Sequence, residues 1–157
     1  MKKALVTLAI ATSLVGCAST KSTVAIEYEP TTKQKLALSI EKGTAVAIPE
    51  DQYALLESQI KSGLTHQDLL SPDGEISRHS ATVKIHSFYL RDDLARVAVG
   101  IMAGCDNIVS TVTVTDKLTN KTIGSSHISI EECAAWGVAS QVITKYTEGV
   151  VAFLADK

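Results

Sequence analysis

The side chains that could do chemistry in this 157-residue chain are its four histidines, its three cysteines and the carboxylate doublets Asp92-Asp93 and Glu131-Glu132. His66, His79, His86 and His127 are scattered, two in a polar connection and two in strand-like segments, and none lies in a nucleophile or zinc motif. They read as surface or strand-face residues. Cys105, His127 and Cys133 with Asp106 would offer thiolate, imidazole and carboxylate ligands, but they lack the Cys-x-x-Cys or His-x-x-x-His spacing that presets tetrahedral metal geometry. Asp92-Asp93 would suit paired-carboxylate acid/base work, yet adjacent aspartates between two strands ordinarily hydrogen-bond their own backbone in a turn. Glu131-Glu132 is expected to place charge at the start of a terminal helix, where the dipole favours anions. Gly100 and Gly104 flank Ile-Met-Ala without the lysine and Ser/Thr that contact phosphate and magnesium, so close strand packing is the expected reason for them. No catalytic residue, metal site or cofactor is expected.

Composition narrows the classes further. With 45% hydrophobic and 20% charged residues and only three prolines, the chain reads as one globular domain. Fifteen basic against 17 acidic residues give −2, which supplies neither a footprint for nucleic acid nor a polybasic patch for anionic lipid. The longest apolar run, from Ala4 to Gly16, is broken by Thr7, Thr12 and Ser13 and falls short of the roughly 20 residues that cross a bilayer.

That run belongs to a different pattern. Met1-Lys2-Lys3, the apolar stretch from Ala4 to Leu14, and then Val15-Gly16-Cys17 form the basic, apolar and small-residue regions of an export signal. Leu14-Val15-Gly16-Cys17 resembles the bacterial lipobox. The resemblance implies cleavage between Gly16 and Cys17, diacylglycerol on the Cys17 thiol and an acyl chain such as palmitate on the new amino group, leaving 157 − 16 = 141 residues. Three acyl chains exceed the two signals needed for stable anchoring, each buried methylene contributing about 0.8 kcal/mol. Ala18 and Ser19, rather than aspartate, follow the cysteine, which by the same resemblance implies the outer membrane, with the domain facing the periplasm. Residues 1–16 are therefore expected to be a signal peptide, 17–23 the lipidated cysteine and a short polar tether, and 24–157 the periplasmic domain. Without Lys2 and Lys3 the mature chain carries 13 basic and 17 acidic residues, about −4, so lipid rather than charge would hold it at the membrane.

In that oxidising compartment the two remaining cysteines make an even pair. A Cys105–Cys133 disulfide is expected, closing a loop of about 27 residues and stabilising by about 3 kcal/mol on the loop-entropy account. Trp136, at the start of the last helix, is expected to pack in the core or, being of a type common in binding hot spots, to contact a partner.

The elements that would position these residues follow from periodicity. Val24, Ile26 and Tyr28 alternate in a strand stopped by Pro30, and two short strands are expected around Gly43, one at 36–40 and one at 46–48. Pro49, Glu50 and Asp51 open a helix carrying Tyr53, Leu56, Ile60 and Leu64, with Gly63 as a stop. Residues 65–80, with Pro72 and Asp73-Gly74, read as an exposed connection. Three alternating sets predict an antiparallel meander: Val83, Ile85, Ser87 and Tyr89; Val97, Val99 and Ile101; and Ile108, Ser110, Val112 and Val114. A polar hairpin at 116–121 leads into Ile123, and a phase shift before Ile128 and Ile130 predicts a bulge near 124–126. Ala135, Ala139, Val142, Tyr146, Val150 and Phe153 mark the apolar stripe of a final helix. The expected fold is α+β: a single antiparallel or mixed sheet of about five to six strands with two main helices packed on it, preceded by a cleaved signal peptide.

The stretch Val97-Ala98-Val99-Gly100-Ile101-Met102-Ala103-Gly104, with Val112 to Asp116 and the turn Lys117-Leu118-Thr119-Asn120-Lys121, resembles a Gly-x-x-Ala-Gly strand followed by an Asp-x-x-Thr-Gly-Lys hairpin. That pattern is found in small Gram-negative envelope lipoproteins whose domain is similar to the amino-terminal α/β domain of TolB. The likeness covers about 60 residues and departs at Asn120, where the pattern prefers glycine. It implies an envelope location and a fold and carries over no catalytic residue. The expected function is that of a non-catalytic accessory or assembly component of the envelope, working through an envelope protein partner. The alternative is a periplasmic module binding a lipid or peptide on an apolar face of the sheet not covered by the final helix.

Overall fold

A computed structural model describes residues 19–30, 34–72, 76–92, 104–133 and 138–155. Its elements are β1 (Ser19–Ile26), β2 (Leu36–Lys42), α1 (Glu50–His66), β3 (His79–Tyr89), β4 (Asp106–Asp116), β5 (Lys121–Glu132) and α2 (Ala139–Leu154). The strands form one mixed sheet in the order β1-β5-β4-β3-β2. Of the neighbouring pairs only β2–β3 is parallel, with α1 as the crossover between them. The fold is α+β, one five-stranded sheet with two helices packed on it, as the periodicity predicts.

Strand β4 explains the core most directly. Asp106, Ile108, Ser110, Val112, Val114 and Asp116 are all buried while the residues between them are half-buried, so the period of two puts one face of the sheet under the helices. Leu56, Ile60 and Leu64 of α1, and Val142, Ile143, Tyr146, Val150 and Leu154 of α2, meet that face in a single cluster. Tyr146 reaches Ser110 with a hydroxyl–hydroxyl bond of 2.6 Å, and burial pushes its phenol up to about 12 despite that bond.

Several expectations fail for identifiable reasons. Gly63 does not stop α1: a Cβ there would lie 2.6 Å from Val151 Cγ2, so this glycine permits close helix–helix approach inside a helix that continues to His66. Residues 46–48 form no strand. Instead the Val46 N–H bonds to the Gly43 carbonyl in a turn that holds Ala45 at φ 82°. The 65–80 connection is not exposed throughout, because Leu36 exchanges backbone bonds with Leu69 and Ser71, and Ser71 and Ser77 are buried.

A register shift between Ile85 and Ser87 rotates the end of β3, leaving Tyr89 52% exposed rather than in line with buried Ile85. The bulge in β5 falls at Ile123, between Thr122 and Gly124, just before the expected span. Glu131 and Glu132 end β5 opposite Asn107 and Asp106 rather than opening the last helix, which starts at Ala139. Phe153, expected on the buried stripe, is only partly buried, and Leu154 fills that place.

Residues 19–23 are strand. Ser19 through Val24 pair in unbroken register with Glu131 through Ser126, so the segment read as a tether is the first half of β1. The expected strand at Val97, Val99 and Ile101, together with Gly100 and Ala135, lies outside the described residues.

Candidate functional site

Gly16, Cys17 and Trp136 lie outside the described residues, as does Asp93. Cys105 and Cys133 are joined in a disulfide with a Cα–Cα distance of 4.3 Å. They continue the register one step beyond the Asp106–Glu132 pair, so the bond clamps β4 to β5 at the end of the sheet. Gly104 enters this clamp at φ 86°, and a Cβ there would meet nothing within 4 Å. Its role is backbone conformation, not the close packing expected from sequence.

A buried ion pair lies directly under the clamp. The Arg91 N–H donates to Asp106 Oδ1 at 2.7 Å, its guanidinium donates to Oδ2 at 2.8 Å, and the same nitrogen reaches the Glu132 carbonyl oxygen at 3.0 Å. Both side chains are fully buried. Hydrogen bonding of the guanidinium to Asp106 raises the Arg91 pKa above its ordinary value, so the guanidinium is a fixed charge. Of the residues weighed as metal ligands, the two sulfurs are committed to each other and Asp106 to Arg91, while His127 lies farther along β5, opposite Thr111. The arrangement braces the strand ends.

At the opposite end of the sheet, Asp116 accepts from Arg78 at 2.8 Å and from the Leu118 N–H at 2.8 Å. These bonds, led by the Arg78 side chain, hold its carboxyl down at about 2. The following turn places Asn120 at φ 53°, a left-handed conformation that asparagine tolerates where the envelope-lipoprotein pattern has glycine.

His79 stands opposite Asp116 in the register, but that carboxylate is held by Arg78. His86 Nε2 bonds Thr111 Oγ1 at 2.8 Å, and Thr111 stands opposite His127 in the register. His79 is buried at the start of β3, and His66 lines a groove between the helices.

The sheet face away from the helices is the feature that sequence reasoning missed. Cross-strand rows run Ser39–Thr82–Thr113–Ser125, then Lys84–Thr111–His127–Thr23. These side chains are hydroxyls, the His127 imidazole and the Lys84 ammonium, continued at the sheet edges by Glu41 and Ile26, so among the described residues this face is largely polar rather than the apolar groove of the binding-module expectation. Its signal was legible: Thr111, Thr113 and Thr115 alternate with Ser110, Val112 and Val114. Two grooves lie elsewhere. One of about 510 Å³ runs between α1 and α2 beside Gly63 and Val151, and one of about 730 Å³ between β1 and α2 is lined by Val24, Tyr28, Gly149 and Phe153.

No family model and no curated protein matches this chain. Solved structures do. The chain resembles PelC from Paraburkholderia phytofirmans, crystallised as a dodecamer, at 12% identity over 88% of this chain and 98% of that one, with a TM-score of 0.58. A point variant of the same dodecamer gives 0.59 with the same identity and coverage. A candidate lipoprotein from Caulobacter crescentus aligns more loosely, at 14% identity over 74% of this chain and 88% of that one, with a TM-score of 0.39. The PelC likeness is one of fold.

Proposed function

We propose that this chain is an outer-membrane lipoprotein, anchored through Cys17, that serves in the periplasm as a non-catalytic accessory or assembly component of the envelope through contacts with another envelope protein. The observation that carries this reading is the five-stranded sheet with one face left uncovered by both helices and set with cross-strand Ser and Thr hydroxyls. Hydroxyls held in register on a rigid sheet are suited to hydrogen-bonded protein contact. PelC, whose fold this chain shares, assembles as a dodecamer, which supports reading the fold as one that works through protein contacts.

The test is a crosslinking pull-down of the lipidated protein from intact envelopes beside the Cys17→Ala form, which should accumulate as unprocessed precursor. A defined complex recovered only with the anchor supports the reading. Equal recovery from both forms, or no complex from either, overturns it.

A second reading, a module that binds a lipid or peptide, rests on the β1–α2 groove of about 730 Å³, which has Val24 and Phe153 in its wall. Copurified lipid or peptide without a protein partner would favour it.

A further inference from the structure

The strand that follows the lipidation position is clamped, not loose. Ser19 pairs with Glu131 and Thr20 with Ile130. Thr20 Oγ1 donates to the Lys145 carbonyl oxygen of α2 at 2.9 Å, and the Ser22 and Ser126 hydroxyls lie 2.8 Å apart. Gly149 of α2 leaves the space that the Thr20 methyl occupies, since a Cβ there would lie 2.5 Å from Thr20 Cγ2. Thr20 is thus fixed by β5 on one side and α2 on another. Only Ala18 separates Cys17 from Ser19. With at most about 3.6 Å per extended residue, the Cα of Ser19 lies within about 7 Å of that of Cys17.

Ser19 also belongs to a row that crosses four strands. It is opposite Glu131, which is opposite Asn107, which is opposite Tyr89. Tyr89 is 52% exposed, and Val138, at the N-cap of α2, is 42% exposed. A tyrosine with an exposed ring is a residue that settles at the lipid–water interface.

We infer that the domain stands upright on the periplasmic surface of the membrane, with the Ser19–Tyr89 end of the sheet against the lipid headgroups and the strands running away from it. This rests on the lipoprotein reading of Cys17. The occupant of this end is the lipid surface itself, fixed there by the one-residue spacing rather than by charge. In this orientation the hydroxyl face and both helices look sideways into the periplasm, free for a protein partner. The Leu118 turn, 77% exposed, stands at the far end, about 30 Å out for a strand of this length at about 3.3 Å per residue.

The experiment uses the full-length lipidated protein in vesicles of phosphatidylethanolamine carrying a headgroup-labelled acceptor lipid. A donor fluorophore is placed through Ser87→Cys on β3, near the proposed membrane end and separated from β1 by β5 and β4, or through Leu118→Cys at the far end. Energy transfer from position 87 should exceed that from position 118 by about threefold or more, given the ~23 Å of strand between the Ser87–Val109 pair and Asp116. A flexible Gly-Ser segment of ten residues inserted between Ala18 and Ser19 should remove most of the difference. Equal transfer from both positions, or a difference that survives the insertion, overturns the inference. Mass analysis of the same samples separates the two layers: acylated Cys17 with equal transfer overturns the orientation alone, whereas an unacylated chain overturns the lipoprotein reading beneath it.

Discussion

Arg91 closes on Asp106 through its backbone N–H at 2.7 Å and its guanidinium at 2.8 Å, with both side chains sealed from solvent beneath the Cys105–Cys133 bond. A charge pair in such a place is costly to break, because the remaining partner keeps its desolvation without its counter-charge. Arg91→Ala should therefore lower unfolding free energy by about 3–5 kcal/mol, read from urea denaturation. Replacing the pair together, Arg91→Met with Asp106→Leu, should cost much less. A double variant as damaged as the single one would show that the pair does more than neutralise itself.

Removing the disulfide should release the same end of the sheet. The bond joins residues 28 apart in sequence. Cys105→Ser with Cys133→Ser should lose about 3 kcal/mol, and reduction of the native protein should lose a similar amount. Denaturation midpoints that do not move on reduction would remove the clamp from the account.

Asp116 sets part of the acid sensitivity. Its carboxyl is held at about 2 in the folded chain, below the value of about 3.9 for an unfolded aspartate, so its contribution is complete above pH 4 and fades as pH falls through 2. In Asp116→Asn, stability should change less steeply between pH 4 and pH 2 than in the parent. Urea titrations across that window decide it, and parallel slopes would contradict the assignment.

Gly149→Ala tests the α2 contact that holds β1. The added methyl would meet Thr20 Cγ2 at 2.5 Å, and a forced overpacking of this kind costs about 1–3 kcal/mol. Amide hydrogen exchange should quicken first over residues 19–24, before the β4–β5 ladder is affected. Uniform exchange changes across the sheet would place the strain elsewhere.

Much of this architecture was legible in the sequence, and the exceptions share a cause. Alternation in Ile108, Ser110, Val112 and Val114, and the helical stripe of Leu56, Ile60 and Leu64, each bury one face against a single core, so period alone located them. The residues from Ser19 to Thr23 carry no apolar period, and they read as a tether because their order comes from pairing with His127 through Glu131 more than a hundred residues away. Gly63 reads locally as a stop and is instead selected by Val151 across the helix pair. The Arg91–Asp106 pair is likewise invisible along the chain, since nothing in the spacing shows that both side chains are buried at one sheet end. The hydroxyl face was present in the Thr111-x-Thr113-x-Thr115 repeat, but only the strand order shows that Thr82 and Ser125 extend it sideways.

The central claim, that the uncovered sheet face receives an envelope protein, is tested most directly by a photo-crosslinking side chain placed at Thr113 in the middle of that face, beside one at Ala54 on the exposed side of α1. Irradiation of intact envelopes should join position 113 to one discrete protein, with position 54 giving no such adduct and Cys17→Ala abolishing the product. Adducts from position 54 alone, or none from position 113 in correctly lipidated protein, would contradict the account.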